Sequence, residues 1–227
     1  MARPRTHAEG IATGYRGYVL MGGRSSRYGR PKAAADWDGR SFGRVCCDLL
    51  DAAGCDAVSV VVSVRSDVPP DVCVSFVVDE WSDRVRHPLL GVRAAARDAA
   101  EHGCGLVVVA TDQPFLQCDW IEQLVTQSCE KPTRVAFFGD STQQQAFPFA
   151  AGAAAADAIR SLPLWDAVDF SSESPGELRL PSMRAFLSEL TPSVVPLPAA
   201  WPPCGSINTL RDHRDVRGEA PRENVAE

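Results

Sequence analysis

The stretch Tyr18–Lys32, YVLMGGRSSRYGRPK, changes character partway along. Tyr18 to Met21 is an apolar run of the kind that makes a buried strand, and Gly22 and Gly23 end it. Paired glycines let the backbone turn sharply and present N–H groups with no Cβ in the way, which suits an anionic ligand. Arg24, Arg27, Arg30 and Lys32 follow at short spacing. Between residues 16 and 44, seven basic residues stand against Asp36 and Asp38, a local charge of +5 in a chain of net charge −6, so the remainder carries −11. A basic island in an acidic chain fits a small phosphorylated ligand better than a nucleic-acid track. The loop is not a Walker A motif, since no Gly-Lys-Ser/Thr closes it, and it is not G-x-G-x-x-G.

Working outward, Trp37 and the turn Asp38-Gly39 lead to Ser41, a natural helix N-cap. Phe42, Val45, Cys46, Leu49, Leu50 and Ala53 then recur with helical spacing, and Gly54 stops them. Residues 57–64 and 73–78 read as strands that do not alternate cleanly, as expected where helices cover both faces of a sheet. His87-Pro88-Leu89-Leu90-Gly91 opens an Ala-rich helix to Glu101, in which His87 caps the first turn or contacts a ligand. The run 105–111 is the most strand-like in the chain, and a helix over 119–129 follows it. Strands at 135–138 and 146–150 flank a polar loop containing Gln143, Gln144 and Gln145. A helix over 153–162, a long aperiodic stretch over 163–181, a helix at 183–190 and a strand at 194–197 complete the pattern. The aperiodic stretch is either disordered or a substrate lid. Strands alternating with helices predict an α/β fold with a mostly parallel, mixed sheet and helices on both faces.

Such sheets bind ligands beyond the carboxyl ends of their strands. Gly22, Asp79 and Asp112 all fall there. An aspartate at a strand end is a hard-oxygen ligand suited to Mg²⁺, and it also serves commonly as a turn residue. Asn208, in Ile207-Asn208-Thr209, either turns its amide oxygen to a metal or starts an Asx turn leading into a helix capped by Thr209.

The spacing Leu20, Gly22, Gly23, Ser25, Arg27, Gly29, Lys32 resembles L-x-G-G-x-S-x-R-x-G-x-x-K of the molybdenum-cofactor guanylyltransferase family. Met21, Tyr28 and Pro31 depart from its usual residues. Thr111-Asp112-Gln113-Pro114-Phe115-Leu116 is similar to that family's C-D-x-P-[FY]-[LI], and Ile207 to Asp212 to its N-I-N-T-P-E-D, with Ser206 and Leu210 as departures. Asp79 matches an aspartate preceding G-P-L-x-G, where His87 replaces the first Gly. The resemblance implies a three-layer, Rossmann-like nucleotidyltransferase fold spanning residues 15–216, between a flexible arm at 1–14 and a mobile tail at 217–227. It implies a Mg²⁺-dependent enzyme that transfers GMP from GTP to the phosphate of molybdopterin, with transient contact to molybdenum-cofactor delivery proteins. Leu20, Met21, Gly22, Gly23, Lys32, Asp79 and Asp112 would bind the nucleotide. Arg27, Lys32 and Asp112 would be catalytic, and Asp112 with Asn208 would hold the metal. A cytidylyltransferase, a relative with another phosphorylated acceptor, and a nucleotide-binding module without turnover are the alternatives.

Composition sets the frame. In 227 residues, 45% are hydrophobic and 23% charged, as in an ordinary globular protein. The apolar runs are too short to span a bilayer and residues 1–10 lack the apolar core of a signal peptide, so the cytoplasm is expected. Eight cysteines show no C-x-x-C spacing and predict reduced, structural thiols. Of 23 basic residues only Lys32 and Lys131 are lysines, which gives Lys32 added weight.

Overall fold

The β-branched runs at residues 60–62 and 107–109 fall in two inner strands of a seven-stranded sheet, and the pair at residues 77–78 falls in a strand at its edge. The computed structural model describes residues 14–21, 31–62, 68–78, 87–140, 143–165 and 180–218. Arg27, Asp79, Gly22 and Gly23, residues 1–13, the 166–179 part of the aperiodic stretch and residues 219–227 lie outside these. The strands are β1 (Tyr15–Leu20), β2 (Asp36–Trp37), β3 (Arg40–Ser41), β4 (Ala57–Val62), β5 (Ser75–Val78), β6 (Gly105–Ala110), β7 (Val135–Gly139), β8 (Gln144–Ala151) and β9 (Pro192–Val195). The helices are α1 (Phe42–Ala52), α2 (Pro88–Glu101), α3 (Cys118–Glu130), α4 (Ala153–Arg160), α5 (Met183–Glu189) and α6 (Leu210–Arg217).

The main sheet has the order β5-β4-β1-β6-β8-β7-β9. Every neighbouring pair is parallel except those of β8, which runs antiparallel to both β6 and β7. Alternate residues of one strand therefore enter different cores. Val107 and Val109 pack with Leu50 of α1 and Ile121 and Leu124 of α3. Leu106 and Val108 pack with Leu89 of α2, Ile159 of α4 and Phe186 of α5. This is the three-layer α/β architecture with a mixed sheet that the alternation of elements predicts.

The local signals are used as expected at several points. Ser41 caps α1 by accepting from the Arg44 N–H. Asp38 and Gly39 both take positive φ (52° and 81°), so the pair turns the β2–β3 hairpin without splaying it. His87 caps α2, its Nδ1 accepting from the Leu89 N–H at 3.2 Å. The main departure concerns the glutamines. Gln144 and Gln145 belong to β8 rather than a loop, because the Asp140 carboxylate accepts from the Gln143 N–H (2.8 Å) and closes a tight hairpin. All eight cysteines are free thiols. Among the described residues no helix is long and apolar enough to cross a membrane.

Candidate functional site

The carboxyl ends of β1, β4 and β6 lie side by side at one edge of the sheet, and three chain segments converge there. The first is the turn after the glycine loop, where Lys32–Ala34 forms one 3-10 turn and the Ala35 N–H closes onto the Lys32 carbonyl at 2.9 Å. The second is Thr111-Asp112 at the end of β6. The third is Gly205–Thr209, whose Ile207 N–H donates to the Asp112 carbonyl at 2.7 Å. A small core of Ala35, Phe42 and Ile207, none of them accessible to solvent, fastens the first segment to the third.

That convergence brings Lys32, Asp112 and Asn208 together. The Lys32 Nζ donates to Asn208 Oδ1 at 2.6 Å and to Asp112 Oδ2 at 3.3 Å. Burial pushes the Asp112 carboxyl above the ordinary aspartate range, and the Lys32 ammonium offsets this only in part. Asn208 is held independently of Lys32. Its Nδ2 donates to Ser206 Oγ at 2.7 Å, and its backbone N–H to Asp212 Oδ2 at 2.8 Å. Asp212 also accepts from the Thr209 N–H while the Thr209 hydroxyl accepts from the Asp212 N–H, a reciprocal cap on α6. Burial alone would raise the Asp212 carboxyl; the N–H groups of Asn208 and Thr209 outweigh it and hold the carboxyl below its ordinary value. The Asn208 amide oxygen thus faces the Lys32 ammonium, and its backbone leads into the helix capped by Thr209.

Leu20 and Met21 sit where β1 ends. The Leu20 carbonyl accepts from the Thr111 N–H at 3.4 Å, and the Met21 N–H donates to the Val61 carbonyl at 3.0 Å. The Met21 side chain is buried against α1, since a Cβ on Gly43 would stand 2.8 Å from its Cε. Its contact with a nucleotide would be through the backbone. His87 serves as a helix cap, and burial lowers its imidazole pKa. Cys204 is not an activated thiol, because burial and then Asp212 push it up.

Sequence reasoning missed Ser206, Asp212 and Gln113. The Thr-x-x-Asp spacing of a helix start signals Asp212. Ser206 stood only as a departure from a motif, yet its hydroxyl orients Asn208. Gln113 is almost wholly buried and its Nε2 donates to the carbonyls of Phe147 (2.8 Å) and Gly205 (3.0 Å), tying β8 and the third segment to β6. No local pattern in the sequence announces that link.

The donor set decides which ions fit. Among the described residues no group of three or more His, Cys, Asp or Glu is assembled. One carboxylate and one amide oxygen, already converging on a cation, match a hard divalent ion that draws its other ligands from phosphate and water.

The sequence profile of the MobA-like NTP transferase domain matches residues 17–171. Over 127 residues the chain is 33% identical to a "Probable molybdenum cofactor guanylyltransferase" of Opitutus terrae, covering 53% of this chain and 58% of that protein. It is 35% identical over 119 residues to the "Molybdenum cofactor guanylyltransferase" of Xanthomonas euvesicatoria, covering 49% and 54%. The chain spans about half the length of the curated relatives it matches. The fold is similar to that of the molybdopterin-guanine dinucleotide biosynthesis protein A from Archaeoglobus fulgidus, with a TM-score of 0.65 and 17% identity over 89% of this chain and 97% of that one.

Proposed function

This chain belongs to the MobA-like NTP transferase family, and on that premise we propose that it is a guanylyltransferase acting with GTP, Mg²⁺ and a molybdopterin-type acceptor. The observation that carries this reading is the convergence of Lys32, Asp112 and Asn208 at the carboxyl ends of β1 and β6. In the reaction, an oxygen of the acceptor's terminal phosphate attacks the α-phosphorus of GTP, the bond to the bridging β-oxygen breaks, and pyrophosphate leaves with its electron pair. The acceptor supplies the nucleophile, so no protein nucleophile is needed.

Lys32 places positive charge on the phosphates and stabilises the departing pyrophosphate. By resemblance, Gly22 and Gly23 cradle the nucleotide through backbone N–H groups, Arg27 adds charge, and Asp79 contacts the nucleotide. Asp112 and Asn208 would hold Mg²⁺, which would neutralise the triphosphate and polarise the α-phosphate. The sequence resemblance in the first loop and the names of the two curated relatives support GTP over other nucleotides.

Thermal shift with each nucleotide tests the base preference. With Mg²⁺ and GTP at one hundred times its Kd, stabilisation should reach about 2.7 kcal/mol, or roughly 5–10 °C in a chain of this size. CTP, ATP and UTP at the same concentration should give smaller shifts. Equal shifts from all four, or a larger one from CTP, would overturn the guanylyl assignment.

A further inference from the structure

Lys32 is assigned above to the phosphates, yet its ammonium sits between the two oxygens assigned to the metal. Asn208 Oδ1 stands 2.6 Å from it and Asp112 Oδ2 3.3 Å. We propose that the Lys32 ammonium is the resident cation of this site, and that a divalent metal enters with the nucleotide, whose phosphates draw Lys32 out, and not before it. The proposal rests on the nucleotidyltransferase reading for the identity of the phosphates.

Three features support it. The site is prepared to accept a cation and to keep its shape when Lys32 leaves. Asn208 is oriented by Ser206 Oγ through its Nδ2 and by Asp212 through its backbone, and neither bond involves Lys32. The lysine has the means to move, because only its four-carbon stem need swing while the turn beneath it stays anchored by buried Ala33 and Ala35. The protein ligands are also too few to hold Mg²⁺ alone, since Mg²⁺ takes six oxygens and among the described residues no cluster of three acidic or metal-ligating side chains is present. A single-charged ammonium already paired to both oxygens is a competitor that bare Mg²⁺ must displace. Nucleotide changes that balance twice, by supplying phosphate oxygens to the metal and a new partner to Lys32. Binding of the two is then positively coupled, and the coupling is reciprocal.

The test reads metal binding directly, by the electron paramagnetic resonance of free Mn²⁺, with no nucleotide present. Lys32→Met keeps the stem and removes the ammonium. Nucleotide-free Lys32→Met should bind Mn²⁺ at least about tenfold more tightly than the parent, and adding Asp112→Asn should abolish the gain. Equal affinity of parent and Lys32→Met, or a gain that survives Asp112→Asn, would overturn the proposal. A second measurement uses the parent alone and is independent of how the variants fold. With only two lysines in the chain, the ¹⁵N ammonium signal of Lys32 can be assigned by comparison with a Lys131→Arg protein. Millimolar Mg²⁺ should leave that signal in place, and Mg²⁺ with the non-hydrolysable α,β-methylene analogue of GTP should shift it. Displacement by Mg²⁺ alone would refute a resident ammonium. The functional reading fails separately: a parent unmoved by the analogue in both melting temperature and Lys32 signal refutes nucleotide transfer, while the Mn²⁺ comparison still decides whether Lys32 occupies the site.

Discussion

Replacing Asp112 with Asn removes one negative charge while keeping size, turn propensity and a carbonyl oxygen that Lys32 can still donate to. Two opposing effects set the change in stability. The ion pair to Lys32 is lost, but with only 15% and 26% of the two side chains exposed, desolvation has already offset much of its attraction, and the Asn oxygen still accepts from the ammonium. Against that, burial holds the Asp112 carboxyl above its ordinary range even with Lys32 alongside, so the fold favours the uncharged form. A carboxyl raised on folding contributes stability that is complete below its unfolded value and is lost as pH rises through its folded one. Asn is uncharged throughout and escapes that loss. The ligand-free variant should therefore melt at or slightly above the parent at pH 7, by no more than about 4 °C, since 1 kcal/mol moves a chain of this size by roughly 2–4 °C. The gap should close as pH falls. Pyrophosphate release from GTP and acceptor should drop by at least ~100-fold, about 2.7 kcal/mol of transition-state stabilisation. Scanning fluorimetry from pH 4 to 8 and a coupled pyrophosphate assay measure both. A variant melting more than about 4 °C below the parent while keeping most of its turnover would refute the reasoning, because the aspartate would then be structural.

Two further outcomes test the surroundings of the site. Thr209→Ala removes one half of the reciprocal cap on α6, which should cost about 1 kcal/mol and lower turnover more than Thr209→Ser does, because Asp212, which holds the Asn208 backbone, loses one of its own restraints; equal kinetics for the two variants would separate the cap from the site. His87 accepts from Leu89 only when its Nδ1 is unprotonated, and burial lowers its pKa, so its contribution is present above the unfolded value and lost as pH falls through the folded one, below ~6.5. Relative to His87→Asn, which can accept the same bond without titrating, the parent should lose melting temperature on acidification, and a pH-independent difference would discount the cap.

The architecture was legible because its signals are local and repeated. The periodicity of Phe42 to Ala53, the β-branched run at 57–62 and the Ser41 cap each name their element within a few residues. The carboxyl end of β6, where Asp112 stands, was legible too, whereas the last strand lies two residues earlier than its apolar run suggests, at Pro192–Val195. What the sequence withheld is long-range pairing. Nothing in the spacing says that Asn208 reaches a residue 176 positions earlier, or that Gln113 reaches Gly205, because those contacts depend on how a non-periodic, proline-containing segment is laid across the sheet. The reversed direction of β8 was hidden for a different reason. Its inner residues, Phe149 to Ala151, are as buried as those of a parallel strand and carry no mark of orientation, which is set by the short turn before it.

That reversed strand has a consequence for how the chain folds. β6 and β7 are consecutive, yet β8, made after both, lies between them. The second edge of β6 therefore stays bare until residue 151 has been synthesised and the β7–β8 hairpin slides in as a unit. β6 is also the most apolar strand of the sheet, with Leu106 to Val109 all fully buried in the finished fold. For that interval it is an unprotected template for pairing with another chain. A fault in the 140–143 turn would accordingly show up as aggregation during refolding, in a protein whose surviving molecules are close to normal once assembled.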